Sequence, residues 1–366
     1  MTPHHLPLFD AHPALARRLP HVALGRFPSP ITGLRLPGLP SIGLKRDDLS
    51  GDVYGSNKVR KLEFLLGEAL ATGAREVYSI GFAGSNHTLA TAIYARQVGL
   101  RCTALLMPQH PASDVREHLL ASLGAGATLR PVSFWTVGLW DAWMRRVAYR
   151  VPPGGTCPLG VVAYVNAAFE LAAQVRAGLL AVPDVIYVPF GSMGTAAGLS
   201  IGLAACSLPT RVVAVRVIGR LWTPPAALSR LLKRSLAYLR DRDASFPALP
   251  TLGRNLEVRD DFLGRGYGVA TREGEEARAL VRDAAGITLS ETYSAKAMAA
   301  LLADAREGRL RGREVLYWNT YNNRDLSPFV SRADPDHLPR ALRRYPSLSR
   351  ARRSEGHEGR TPWLSS

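Results

Sequence analysis

Gly55-Ser56-Asn57-Lys58-Val59-Arg60-Lys61-Leu62-Glu63 joins a polar loop to an apolar-periodic run, with a lysine at the join. Leu62, Leu65, Leu66, Ala69 and Leu70 recur at i, i+3 and i+4, which predicts a helix with one buried face. Asn57 reads as its N-cap and Gly73 as its stop. A lysine here has its backbone fixed by the helix and a stem long enough to enter a cleft. Desolvated there, its amine pKa falls and it becomes a nucleophile or base. On position alone, a solvated surface charge is the commoner reading of a lysine. Yet the chain holds five lysines (45, 58, 61, 233 and 296) among 46 basic residues, so arginine supplies its general positive charge.

Outward from this helix the pattern is α/β. Glu76 to Ile80 reads as a strand, Gly81 to His87 as a loop, Thr88 to Val98 as a helix, and Arg101 to Met107 as a second strand. The loop sets Ser85, Asn86 and His87 at a helix N-terminus, which can receive an anion such as a carboxylate. A simple cap by Ser85 or Asn86 is an equal alternative. Asp184 to Phe190 is a buried strand that feeds Gly191-Ser192-Met193-Gly194-Thr195 and then a small-residue helix, Ala196 to Cys206. Strand, glycine turn and helix start make a phosphate cradle, with Ser192 and Thr195 adding hydroxyls. Taken alone, GxxGT is as often a tight turn, and neither a Walker A loop nor GxGxxG is present.

The remaining segments fill in the alternation. Ile42 to Arg46 is a short strand, and the Pro- and His-rich residues before about 45 are expected to wrap the surface. Ser113 to Leu123 is a helix and Ala127 to Pro131 a strand. Trp135 to Arg150 is amphipathic, its aromatics expected to serve a core. Pro152 to Thr156 breaks the chain, and Tyr164 to Ala177 is helical. Arg211 to Val217 and Val315 to Thr320 are strands; Ala226 to Arg240 and Arg272 to Ala285 are helices. Residues beyond about 350 are expected to be a disordered tail.

A chain of 366 residues with 46% hydrophobic content can bury a large core and divide into two domains. The formal charge of +16 raises nucleic acid or a membrane as partners. The arginines are scattered, however, and no zinc spacing, aromatic RNA-binding motif or basic repeat accompanies them. Cys102, Cys157 and Cys206, an odd number, suggest reduced thiols and a cytoplasmic protein. No stretch reads as long enough for a membrane span, and no leader pattern begins the sequence.

Together these stretches resemble the fold-type II pyridoxal-phosphate (PLP) enzymes, in the branch of D-cysteine desulfhydrase and 1-aminocyclopropane-1-carboxylate (ACC) deaminase. The likeness runs in order from about residue 44 to 330. It is carried by Lys45 to Leu49 with Asn57 to Glu63, by Ser85 to Thr88, and by Gly191 to Leu199. Gly266-Tyr267-Gly268-Val269 and Tyr293 to Ala297 continue it. The resemblance implies two open twisted-sheet domains in the manner of tryptophan synthase beta, with PLP in the cleft between them. The large domain would comprise 1–52 and 163–350, and the small one 53–162. By the same resemblance Lys58 carries PLP, Asn86 bonds its phenolic oxygen, residues 191–195 take the phosphate, and Ser294 meets the pyridine nitrogen. Ser85 would bind the substrate carboxylate, with Asn86, His87 and Thr320 beside it, and Tyr267 and Tyr293 would line the substrate cavity as catalytic groups. The implied chemistry is removal of the Cα proton by Lys58 and β-elimination to a 2-oxo acid and ammonia.

Two positions discriminate within the branch. ACC deaminases carry Glu after the tyrosine and Leu near the last strand, whereas Ser294 and Thr320 stand here, as in desulfhydrase-like members. That favours elimination from a D-cysteine-like amino acid over opening of a cyclopropane. The alternatives on the same cofactor residues are an ACC deaminase, or a β-replacement enzyme or racemase of a specialised pathway. The expected partner is a small amino acid, with no nucleic acid and no membrane, and the assembly a homodimer. Departures from the pattern are Met193, Gly84, Ser290-Glu291, Asn319 and Tyr321-Asn322-Asn323, all but Met193 expected on the substrate side. Met193 is compatible with the phosphate loop if its φ is negative.

Overall fold

The computed structural model describes residues 6–36, 39 and 41–346, so the expected tail lies outside the described residues. Ten strands form two sheets: β1 (Ile31–Leu34), β2 (Ile42–Arg46), β3 (Glu76–Phe82), β4 (Arg101–Met107), β5 (Thr128–Pro131), β6 (Tyr149–Val151), β7 (Val185–Phe190), β8 (Arg211–Arg216), β9 (Leu256–Arg259) and β10 (Val315–Asn319). One sheet has the order β1-β2-β10-β7-β8-β9, parallel except for β1; the other is β5-β4-β3-β6, all parallel. All six side chains of β7 are buried, as a parallel strand covered on both faces requires. Pro189 is tolerated in this central strand because pairing with β10 ends at Tyr187 and only β8 continues alongside it.

The helices pack closely where small residues allow. A Cβ on Gly198 would lie 2.4 Å from the Tyr164 Cβ, and one on Gly202 would lie 2.6 Å from the Ala168 Cβ. These two glycines, one turn apart, let the Gly194–Ala205 helix sit against the Pro158–Arg176 helix with almost no gap. The latter helix is long and apolar enough to cross a membrane by length and composition, contrary to the sequence expectation. It is instead a mostly buried core helix of the large sheet's packing layer.

The Lys58 helix spans Asn57–Ala71, and its N-cap is Ser56, not Asn57. The Ser56 side chain accepts the Lys58 N–H at 3.1 Å, so Asn57 is released to point elsewhere. Leu62, Leu65, Leu66 and Ala69 are fully buried. Arg60, on the same helix, anchors it in a buried polar cluster. Its guanidinium donates to both oxygens of Asp47 at 3.0 Å and to Glu170 Oε2 at 2.8 Å. Trp318 Nε1 and the Tyr164 hydroxyl also donate to Asp47, at 2.7 and 2.6 Å. Lys45 reaches Glu170 from the other side at 2.5 Å. Burial alone would raise the Glu170 pKa, but Arg60 and Lys45 hold it down at about 2.

Other expectations change. Residues before 45 do not merely wrap the surface: Leu8 and Leu15, on short Pro-initiated helices, are fully buried, and β1 adds an edge strand. The aromatics of 135–150 serve a core only in part: Trp140 and Tyr149 pack against core clusters, half-buried. Trp135 is 92% exposed and Trp143 51% exposed, while Met144 is the buried residue of the Val137–Met144 helix. That segment also ends in β6, and β9 follows the basic helix; both are short strands with weak patterns.

Candidate active site

The C-terminal ends of β3, β7 and β10 lead into the walls of one cavity of about 550 Å³, where ligands bind in open parallel sheets. Lys58 lines it, and burial pulls its amine pKa down to about 8. Asn57, beside it, donates through Nδ2 to the Thr195 hydroxyl at 3.1 Å, tying this helix start to the glycine loop 138 residues later. The Thr320 carbonyl accepts the Asn57 N–H at 3.3 Å, which brings the end of β10 to the same point.

After β3, Ser85 caps the Asn86–Gln97 helix, its Oγ accepting from the N–H groups of His87 (3.2 Å) and Thr88 (3.5 Å). Its hydroxyl proton remains available to a ligand oxygen, so capping and ligand binding coexist in one side chain. The Asn86 Oδ1 accepts from the Tyr54 hydroxyl at 2.8 Å, which fixes the amide and leaves Nδ2 as a donor toward the cavity. His87 also lines the cavity, buried, and neither ring nitrogen has a hydrogen bond of good geometry in the protein. Burial, then Lys58 and Lys61, push its pKa well down, with the Pro152 backbone opposing slightly. A buried neutral imidazole with two unmatched nitrogens is a site that a polar ligand would complete.

The glycine loop departs from expectation at its centre. Met193 has φ 71° and ψ −35°, not a negative φ, and the Gly194 N–H closes a γ-turn onto the Ser192 carbonyl at 2.9 Å. One loop amide is therefore used internally, and Gly194 does not line the cavity, whereas Gly191, Ser192, Met193 and Thr195 do. Ligand binding would fall to the Ser192 and Thr195 hydroxyls and the free amides of the helix's first turn. Behind the loop stands Lys61, a residue the sequence reading did not assign. It is buried, donates to the Gly154 carbonyl at 3.1 Å, and its Nζ lies 3.0 Å from where a Gly194 Cβ would be. Burial, then Lys58, push its pKa well below the usual lysine value. An anion in the loop would restore its charge. The only available sequence signal was its spacing, one turn after Lys58 on the same helix.

Tyr267 and Tyr293 both line the cavity, and their hydroxyls are hydrogen-bonded to each other. Burial raises both pKa values, so both are neutral donors at ordinary pH. Thr320 and Tyr321 complete the wall, the latter donating to Asp114 at 3.1 Å. Ser294 stands apart from the other candidates. It is fully buried, its Oγ accepts the Ser290 N–H at 2.7 Å, and it does not line the cavity. Of this pair of positions, Thr320 is the one that lines the cavity. The departures are likewise placed differently from expectation, since only Met193 and Tyr321 among them line the cavity. Glu291 instead bonds Ser113 and Arg278, and Asn322 and Asn323 brace Gly55 and Asp48.

A two-sheet α/β fold with a desolvated lysine and a glycine loop facing one cavity defines the fold-type II class. The sequence model described as "Pyridoxal-phosphate dependent enzyme" matches residues 22–320, and the chain belongs to that family and uses PLP. It is 36% identical over 308 residues to the nocardicin C-9' epimerase of Nocardia uniformis subsp. tsuyamanensis, covering 81% of this chain and 90% of that one. A putative ACC deaminase of Pyrococcus horikoshii is 32% identical, covering 84% and 93%. The D-cysteine desulfhydrase of Salmonella paratyphi A is 31% identical, covering 78% and 88%. Among solved structures, an ACC deaminase homologue superposes with a TM-score of 0.71 at 31% identity, over 87% of this chain and 95% of that one. The chain is thus a PLP-dependent enzyme of the ACC deaminase and D-cysteine desulfhydrase type.

Proposed function

We propose that this enzyme removes the Cα proton of an amino acid with Lys58 and then expels a β-substituent, the released enamine taking up water to give a 2-oxo acid and ammonia. The observation that carries the reading is a lysine held near pKa 8 in the cavity that also holds Asn86, the glycine loop and the tyrosine pair. The orphaned nitrogens of buried His87 and the uncompensated Lys61 behind the loop fit an anionic, polar cofactor there. The 191–195 loop with Lys61 would hold the phosphate, Asn86 Nδ2 the phenolic oxygen and Thr320 the pyridine nitrogen. Bound PLP supplies an electron sink for the charge left at Cα. The Ser85 hydroxyl donates to the substrate carboxylate, with His87 beside it. The Lys58 amine, its pKa lowered by burial to about 8, would be neutral enough near pH 8 to take the proton. The Tyr267–Tyr293 pair shares one proton in its mutual bond, leaving the second for the departing group.

A second reading is return of the proton to Cα, an epimerisation. The neutral tyrosine pair favours it, because it offers a donor separate from Lys58, and a 36% identical relative is named an epimerase. The division into 1–52 with 163–350 and 53–162 belongs to the same proposal, supported by the two separate sheets. So do a homodimer and a cytoplasmic setting. Borohydride reduction of the PLP-loaded enzyme should leave a pyridoxyl group on Lys58 by peptide mass. Incubation of the unreduced, PLP-loaded enzyme with amino acids in D₂O should give 2-oxo acid and ammonia, whereas inversion with deuterium at Cα selects the second reading. Absence of the label from Lys58 sinks both.

A further inference from the structure

A line of aromatic side chains leads from the glycine loop to the cavity mouth. A Cβ on Gly191 would touch the Tyr293 ring at 3.5 Å. Tyr293 packs edge-on against Tyr267 at 5.7 Å between centroids, and Tyr267 lies 4.5 Å from Phe82. Phe82 then meets Phe134 at 6.3 Å and Trp222 at 6.0 Å, and those two meet each other at 6.1 Å. All five rings line the one cavity. The outer three come from separate segments: the end of β3, the turn after β5 and the loop after β8. Phe134 is 50% exposed and Trp222 53% exposed, so they have converged without being buried. Phe82 is partly buried and packs against a core cluster, and the two half-exposed rings that it carries at the pocket mouth are a surface awaiting a partner ring.

We infer that the substrate is an α-amino acid whose side chain ends in an aromatic ring, seated among Phe82, Phe134 and Trp222. The inference rests on the amino-acid reading proposed above and adds its side-chain class. A one-carbon thiol or a cyclopropane would stop at the tyrosine pair and leave the trio unused. A ring at the mouth would stack edge-on or offset with all three, while the amino-acid end remained beside Lys58 and Ser85.

The test uses the full chain loaded with PLP in D₂O, with both enantiomers of phenylalanine, alanine and cysteine, and with ACC, reading Cα deuterium by mass spectrometry. The better enantiomer of phenylalanine should exchange with kcat/KM at least about tenfold above alanine or cysteine. Phe134→Ala and Trp222→Ala, both at half-exposed positions, should each cut that ratio about tenfold, mainly through KM. Alanine or cysteine exchanging as fast as phenylalanine would overturn the inference alone. An unchanged ratio in both variants would do the same. No exchange with any amino acid would instead overturn the underlying amino-acid reading.

Discussion

Arg60 Nη1 donates to Glu170 Oε2 at 2.8 Å, inside the protein and half a turn beyond Lys58 on the same helix. The orientation of the reactive lysine is therefore set from behind, by a charge cluster that never touches the cavity. Burial disfavours the Glu170 carboxylate, yet Arg60 and Lys45 keep its pKa at about 2. A carboxylate depressed on folding stabilises the protein above its unfolded pKa of about 4.3, and that stabilisation is lost as pH falls toward 2. Glu170→Gln should cost about 3–5 kcal/mol at pH 7, because Arg60 and Lys45 lose their shared partner. Urea titrations at pH 7, 5 and 3 should show the variant weaker at pH 7 and with a shallower loss toward acid.

Lys58 gives a second pH signature. Its pKa of about 8 lies well below the ordinary lysine value, so the free amine is fully present about two units earlier than in a solvated lysine. The rate at which apoprotein captures PLP should rise about tenfold per pH unit below 8 and level off above it. Stopped-flow absorbance from pH 6 to 10 reads this directly. A rate still climbing at pH 10 would mean that the amine is solvated.

The γ-turn at Met193 separates strain from packing. A side chain at positive φ costs about 1–2 kcal/mol, while the half-buried Met193 side chain returns part of that through contact. Met193→Ala loses the contact and keeps the strain; Met193→Gly loses the contact and relieves it. The glycine variant should therefore be more stable than the alanine variant by about 1 kcal/mol in urea midpoints. Equal stabilities would show that the positive φ is not retained in solution.

For the tyrosine pair, Tyr267→Phe and Tyr293→Phe each remove one hydroxyl and keep the ring. Loss of a proton donor should lower turnover about 10²–10⁴-fold with PLP still bound. If one variant is inert in product release yet still exchanges the Cα proton, the missing hydroxyl acts after proton removal. Equal loss of both activities would place it at Cα itself.

The strands buried on both faces, β3, β4, β7 and β8, were legible because their apolar runs are continuous and their ends carry turn residues. The helix over Arg272–Ala285 was legible to the residue, since the Thr271 hydroxyl caps it and Gly286 closes it at φ 65°. Lys58, Ser85, Asn86, Tyr267, Tyr293 and Thr320 were legible as candidates and do share one cavity. Ser294 was legible as a candidate but does not line the cavity, and its hydroxyl oxygen accepts the Ser290 N–H, a choice that sequence does not reveal. Lys61 was hidden because its use depends on Gly154 and Gly194, residues far away in sequence. Of the tryptophans in 135–150, Trp140 packs against a core cluster while Trp135 and Trp143 are exposed, because one face of a short helix is all that the small sheet covers. Short edge strands such as β1, β6 and β9 carry too few residues for a period to show.

All five lysines lie within the described residues, and their placement has a practical consequence. Lys45, Lys61 and Lys296 are buried, the last held by the carbonyls of Leu263 and Gly266, and Lys58 lines the cavity; Lys233 alone is exposed. For a chain with 46 cationic side chains, amine-directed dyes and cross-linkers thus have a single lysine to find on the outside. A fluorophore coupled there would report on the basic Pro225–Arg242 helix from a defined position, with the Lys58 amine protected by any ligand that fills its pocket.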